Sequence, residues 1–260
     1  MIPLLLALAA APNPSMAGPP APAAAVEARY RACLGLVRTA PEQALAEAAS
    51  WQASGGGINA RMCNGLALTA LERWPEAAAA FEQGAGDADS AHDLSATDFR
   101  VQAGNAWLAG GDPAKARAAF DQALAGTALS SELRGEVHLD RGRAGVALDD
   151  LAGARRDFDK ALELVPGDPF AWYMSAALAR RQRDLKRAQD DIAKAVAMAP
   201  DDAELLLEAG NIAAMSGEDE GARGLYAKAA RAAPNSEAGR RAAAALGANG
   251  GESAPAPTGN

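Results

Sequence analysis

Residues 135–236 read GEVHLDRGRAGVALDDLAGARRDFDKALELVPGD (135–168), PFAWYMSAALARRQRDLKRAQDDIAKAVAMAPDD (169–202) and AELLLEAGNIAAMSGEDEGARGLYAKAARAAPNS (203–236). Stacked in this register, the three segments share a pattern with a period of 34 residues. Ala154, Ala188 and Ala222 align at position 20, and Phe158, Ile192 and Tyr226 follow at position 24. Ala161, Ala195 and Ala229 stand at 27, and Pro166, Pro200 and Pro234 at 32. Gly142, Ala176 and Gly210 stand at position 8. A period in this range is the signature of stacked helical or strand-based units. The spacing favours two helices per unit. Small residues at 8 and 20 let the helices approach, the large residue at 24 fills the space beside them, and the proline at 32 stops the second helix.

The register extends upstream. Gly104, Ala116, Phe120 and Ala123 repeat it, as do Gly65, Ala77, Phe81 and Gly84. Units are therefore expected at 58–91, 97–130, 135–168, 169–202 and 203–236, after a degenerate unit at 25–57. His92–Ala96 and Ser131–Arg134 are read as surface insertions. Asp112-Pro113 and Asp168-Pro169 supply an N-cap and a first helical residue, and Asp201 or Asp202 caps the next unit. Residues 236–246, SEAGRRAAAAL, fit the polar-faced capping helix that such arrays need. Residues 247–260 read as a polar, Pro/Gly-rich tail.

These residues resemble the tetratricopeptide repeat, a helix-turn-helix unit of 34 residues with small residues at 8, 20 and 27, a large one at 24 and proline at 32. Trp172 occupies position 4, where that family often has tryptophan. The resemblance covers about 25–246. It implies an all-α fold, a right-handed α-solenoid whose function is to bind other proteins. It also implies that positions 2, 5, 9, 12 and 13 of each first helix face a concave groove. Those positions hold Asp98 and Asn105; Glu136, Leu139 and Arg143; Phe170, Tyr173, Arg180 and Arg181; Glu204 and Asn211. Of these, Asn105, Arg143, Phe170, Tyr173, Arg180 and Asn211 are the candidate partner-binding residues. Phe170 and Tyr173 would form an aromatic patch flanked by arginines, residue types enriched at binding hot spots. The expected ligand is an acidic or amphipathic segment whose carboxylates pair with Arg143 and Arg180. The alternative is that Tyr173 packs between helices and the arginines pair with nearby Asp residues such as Asp184. The family's carboxylate clamp wants Lys at 5 and Asn at 9. Here Asn105 and Asn211 are matched with Val101 and Leu207, so that pattern is broken.

Composition agrees. The chain has 260 residues, 49% hydrophobic but only 5% aromatic, and alanine dominates. Alanine favours helix and disfavours strand. The net charge is −8, and neither half is basic by net count: residues 26–130 carry 8 Lys/Arg against 12 Asp/Glu, and residues 131–260 carry 17 against 21. That argues against nucleic acid as a partner. Met1–Ala11, MIPLLLALAAA, is too short to span a bilayer but suits the apolar core of a secretory signal, although no Lys or Arg precedes it. Residues 1–24 are accordingly read as a signal peptide and Ala/Pro-rich leader, cleaved between about Ala9 and Ala25. The expected location is periplasmic or secreted, with cytoplasmic as the alternative. Cys33 and Cys63 fall on the first helices of adjacent units. In an exported chain they are expected to form a disulfide; otherwise they are two buried thiols.

Motifs for chemistry are absent or isolated. His92 and His138 lack a neighbouring nucleophile. Gly55-Gly56-Gly57 has no following Lys for a phosphate loop and reads as a helix break. Asp149-Asp150, Asp190-Asp191 and Asp201-Asp202 read as helix starts, turns or solvated faces. Trp107 and Trp172 read as core, and Trp74-Pro75 as a turn. Two Cys and two distant His match no zinc spacing. No cofactor is expected. The reading is a non-catalytic scaffold or adaptor of the bacterial envelope; the alternatives are an accessory subunit of an envelope enzyme or assembly machine, and a self-assembling structural element.

Overall fold

A computed structural model describes residues 22–249. The regular structure among them is helical throughout, in thirteen helices. The leader (1–24) and the tail (247–260) lie outside the described residues, except that 22–24 and 247–249 belong to the first and last helices. The chain divides after Arg73 into two units.

The first unit holds α1 (Pro22–Thr39), α2 (Pro41–Ala53) and α3 (Gly57–Ala70). Pro41 starts α2 at a position where a missing N–H costs nothing. The Gly triplet ends it: Gly55 takes φ +86°, and the N–H of Gly56 donates to the carbonyl of Trp51 at 2.8 Å. That bond is the six-residue closure that terminates helices on a left-handed residue. Arg29 of α1 donates to Glu47 of α2 at 2.7 Å, with its guanidinium 5.2 Å from the centre of the Trp51 ring. Cys33 of α1 and Cys63 of α3 are fully buried and joined by a disulfide, their Cα atoms 6.1 Å apart. Among the described residues of α1, only Cys33 is buried.

The second unit holds α4 (Trp74–Ser90), α5 (Ala96–Ala109), α6 (Pro113–Ala125), α7 (Ser131–Ala147), α8 (Leu151–Leu164), α9 (Pro169–Arg181), α10 (Leu185–Met198), α11 (Ala203–Met215), α12 (Asp219–Ala232) and α13 (Glu237–Asn249). The pairs α5/α6, α7/α8, α9/α10 and α11/α12 are the repeated hairpins, and α13 packs on α12 and α11. Their core is made of positions 8 and 24. A Cβ on Gly142 would stand 2.6 Å from Cδ1 of Phe158, and Gly104 under Phe120 and Gly210 under Tyr226 are equally tight, at 2.7 and 2.6 Å. Glycine therefore stands wherever position 24 is aromatic, and Ala176 is tolerated where position 24 is Ile192. Phe99 lies over Gly84 in the same way, joining α4 to α5, with the Phe81 ring centre 6.4 Å from that of Phe99.

The hairpin turns repeat in the backbone. Gly111, Asp149, Arg183 and Gly217, all at position 15, have φ between +60° and +80°. In each case the next N–H donates at 2.9 Å to the carbonyl five residues back: Asp112 to Trp107, Asp150 to Gly145, Asp184 to Ala179 and Glu218 to Ala213. Asp112, Asp150, Asp168, Asp184 and Asp202 then cap the following helices by accepting backbone N–H bonds. Two local expectations are corrected. Ser131–Arg134 is not a surface insertion but the first turn of α7, started by Ser130, whose hydroxyl accepts the N–H of Leu133. Trp74-Pro75 is not a turn but the start of α4.

Candidate functional site

Residues three and four apart share one face of a helix. On α7 such a face carries Glu136, Asp140 and Arg143; on α9, Phe170, Tyr173, Ala177 and Arg180; on α11, Glu204, Glu208, Asn211 and Met215. Side-chain contacts join the three faces. Arg143 donates to Asp140 at 2.7 Å and holds its guanidinium 5.8 Å from the centre of the Phe170 ring. Phe170, 42% exposed, stacks on Tyr173 with ring centres 5.9 Å apart and planes at 28°. Arg180 Nε donates to Glu208 Oε1 at 2.6 Å, and Asn211 Nδ2 donates to the other oxygen of Glu208 at 3.3 Å. The Tyr226 hydroxyl donates to Asn211 Oδ1 at 3.1 Å.

Five of the six expected partner residues thus lie in one connected patch. They are not equally free. Arg143 and Arg180 already pair with carboxylates, and both ends of the Asn211 amide are engaged. Glu208 is only 5% exposed, whereas the Arg180 side chain keeps 32% of its surface exposed, so the pair is desolvated on the carboxylate side only. Arg181 turns to Asp149, at 2.6 Å. Asn105 lies half-buried on α5, and no bond ties it to the patch. Tyr173 is half-buried and its hydroxyl makes no hydrogen bond among the described residues. Burial, then the nearby carboxylates of Glu208 and Glu204, push that phenol above its ordinary range, against the pull of Arg241 and Arg180. It therefore stays a donor at neutral pH.

Position 5 departs from the expected groove. Leu139 is buried, as are Val101 and Leu207 at the same position, and only Tyr173 reaches the surface. These three serve the core because the apolar side chains at this position fill the seam between first helices.

A second polar feature was not legible from spacing alone. Asp191, expected on a solvated face, is buried. It accepts bonds from the Ser175 hydroxyl and from Arg187, while Arg155 donates to Ser175 and Asp159. One repeat earlier, Asp157 accepts from Arg141 at 2.6 and 3.0 Å and contacts His138 Nδ1 at 2.9 Å. Both carboxylates stand at position 23 and face position 7: Arg141 with Asp157, Ser175 with Asp191. Where position 7 is Ala209, position 23 is Leu225 and the site is apolar. The signal was the covariation of two positions, which one repeat read alone does not display.

Among the described residues no helix is long and apolar enough to cross a membrane, and no group of His, Cys, Asp or Glu could hold a metal ion.

Among curated proteins, no sequence matches the chain. Solved structures share its fold. The type IV pilus biogenesis factor PilW is similar with a TM-score of 0.71 and 19% identity, over 84% of this chain and 97% of that one. PilF of Pseudomonas aeruginosa is similar with 0.69 and 17%, over 86% and 98%. YrrB, a tetratricopeptide protein with an unusual peptide-binding site, gives 0.56 and 19%, over 75% and 96%. The tetratricopeptide repeat family model matches residues 101–169 and 173–237, just over half of the chain. With its 34-residue period, glycine–aromatic hairpin cores and position-15 turns, the chain belongs to the tetratricopeptide repeat family.

Proposed function

We propose that this protein is a non-catalytic scaffold or adaptor of the bacterial envelope that docks a partner segment on the joined faces of α7, α9 and α11. The observation that carries the reading is the Phe170–Tyr173 stack: a large, rigid aromatic surface, partly exposed, with an unspent hydroxyl at its edge. Such surfaces anchor partners because aromatic contact area is gained at little entropic cost. The relatives in fold named for pilus biogenesis and for peptide binding support an interaction role. The Cys33–Cys63 bridge supports an oxidising compartment, as does the apolar leader.

The reading is tested by placing a photo-crosslinking residue at 173 and, as a control, at Lys160 on the opposite helix layer. Crosslinks in the native envelope fraction should come from 173 and fall sharply when Phe170→Ala is added. Equal yields from both positions would remove the groove from the account. Intact mass of the fractionated protein tests export separately. A full-length mass in the cytosol would reject it.

A further inference from the structure

The charge on this groove differs from what its arginines imply by count. Arg143 and Arg180 are each neutralised by a carboxylate of the chain, Asp140 and Glu208. What remains uncompensated is acidic. Glu136 on α7 and Glu204 on α11 are exposed, and their carboxylates make no hydrogen bond or ion pair among the described residues. They stand at position 2 of their repeats, on either side of Phe170, which holds position 2 of the repeat between them. Asp98 occupies the same position on α5 and is equally exposed and unpaired. Arg241 is the one cation acting on Tyr173 without a carboxylate partner among the described residues, and the unpaired Glu204 acts on the same ring at least as strongly. The position-2 carboxylates thus form a rail interrupted at its centre by the aromatic stack.

Resting on the groove reading above, we infer that the occupant is a basic segment. One small or apolar residue would sit on Phe170–Tyr173, and a lysine or arginine on each side would meet Glu136 and Glu204. Complementary charge across an interface sets partner choice and association rate. A cation near Tyr173 also gains from the ring face. Packed helix axes lie about 8–10 Å apart. Glu136 and Glu204, two first helices apart, are therefore separated by roughly 16–20 Å, the span of about five or six extended residues. The unspent Tyr173 hydroxyl is placed to donate to a carbonyl of the segment between the two cations.

Three labelled twelve-residue peptides test this against the full chain by fluorescence anisotropy. They share a Leu-Pro centre flanked, six residues apart, by two Lys, two Gln or two Glu. The Lys peptide should bind tightest and the Glu peptide weakest, with roughly tenfold between Lys and Gln. Glu136→Gln with Glu204→Gln should erase that preference. The charge-matched control on second helices, Glu163→Gln with Asp190→Asn, should leave it intact. Tighter or equal binding of the Glu peptide, no binding of the Lys peptide, or equal losses in the control overturns the basic-partner inference. If the peptides bind alike and Phe170→Ala weakens all three, the groove stands and only its charge preference falls. If Phe170→Ala changes nothing, the groove reading itself fails.

Discussion

Glu208 is buried to 5% exposure and its only cationic partner among the described residues is Arg180, whose Nε lies 2.6 Å away. Removing the arginine would leave a buried carboxylate with only the Asn211 amide as donor. Arg180→Ala should cost about 2–4 kcal/mol, whereas the double variant Arg180→Met/Glu208→Leu should return most of it. Urea denaturation of the two variants settles the point; equal losses would mean that the pair carries no desolvated charge. The same relationship makes Arg180→Glu a poor probe of binding, because it sets two carboxylates against each other.

Asp157 gives the fold an acid-sensitive joint. Burial pushes its carboxyl up, but hydrogen bonds from His138 and Arg141, with the charge of Arg141, together hold it below its ordinary value. A carboxyl depressed in the folded state contributes stability above its unfolded value, near 3.9, and that contribution is lost as pH falls through the folded value. Stability should therefore drop below about pH 4. Asp157→Asn should be less stable at neutral pH and show a shallower acid limb. A parallel pH profile for the variant would assign the acid loss elsewhere.

Gly142 under Phe158 makes a test of packing. Gly142→Ala should cost about 1–3 kcal/mol through overpacking, despite alanine's better helix propensity. Adding Phe158→Ile recreates the Ala176–Ile192 pairing and should recover part of the loss. A double-mutant cycle with no coupling would show that the two positions are independent.

Arg183 holds φ +64° at a turn where two other repeats have glycine. A left-handed conformation costs an ordinary residue about 1–2 kcal/mol, and glycine gives back part of the gain as chain entropy. Arg183→Gly should raise stability by up to about 1 kcal/mol. Calorimetry showing a lower Tm would contradict the strain.

The disulfide is the anchor of α1, whose other described residues are at most half-buried. Cys33→Ala with Cys63→Ala should destabilise the first unit by about 3–4 kcal/mol, from the loop entropy returned to the unfolded chain. Hydrogen exchange should quicken in α1 and α3 while α7–α12 keep their protection. Unchanged exchange in α1 would show that helical packing alone holds it.

Much of the fold was legible because its determinants are local. Pro166, Pro200 and Pro234 stop helices, and Asp112, Asp168 and Asp202 start them, within a few residues of where they stand. Other features depend on partners far along the chain. Arg180 finds Glu208 across 28 residues and Arg155 finds Ser175 across 20, so the spent charge of the groove and the burial of Asp191 could not be read from spacing on one helix. Asp140 stands three residues before Arg143, and that pairing was open to inspection. Leu139 was placed by family register, which does not reveal that a leucine there will close a seam.

The matched glycine–ring contacts limit how such a chain can be rearranged. The first helix of the Ala176 repeat cannot be exchanged with that of a glycine repeat, because Ala176 beneath Phe158 would collide and Gly142 beneath Ile192 would leave a void. The heritable piece is the hairpin, cut in the loops that precede Ser131, Pro169 and Ala203. Yet Arg155 donates from one hairpin to Ser175 of the next. Duplicating or shuffling whole hairpins would therefore keep each core intact while rewriting the polar seams between them, so new arrays would differ first in how neighbouring repeats are bolted together.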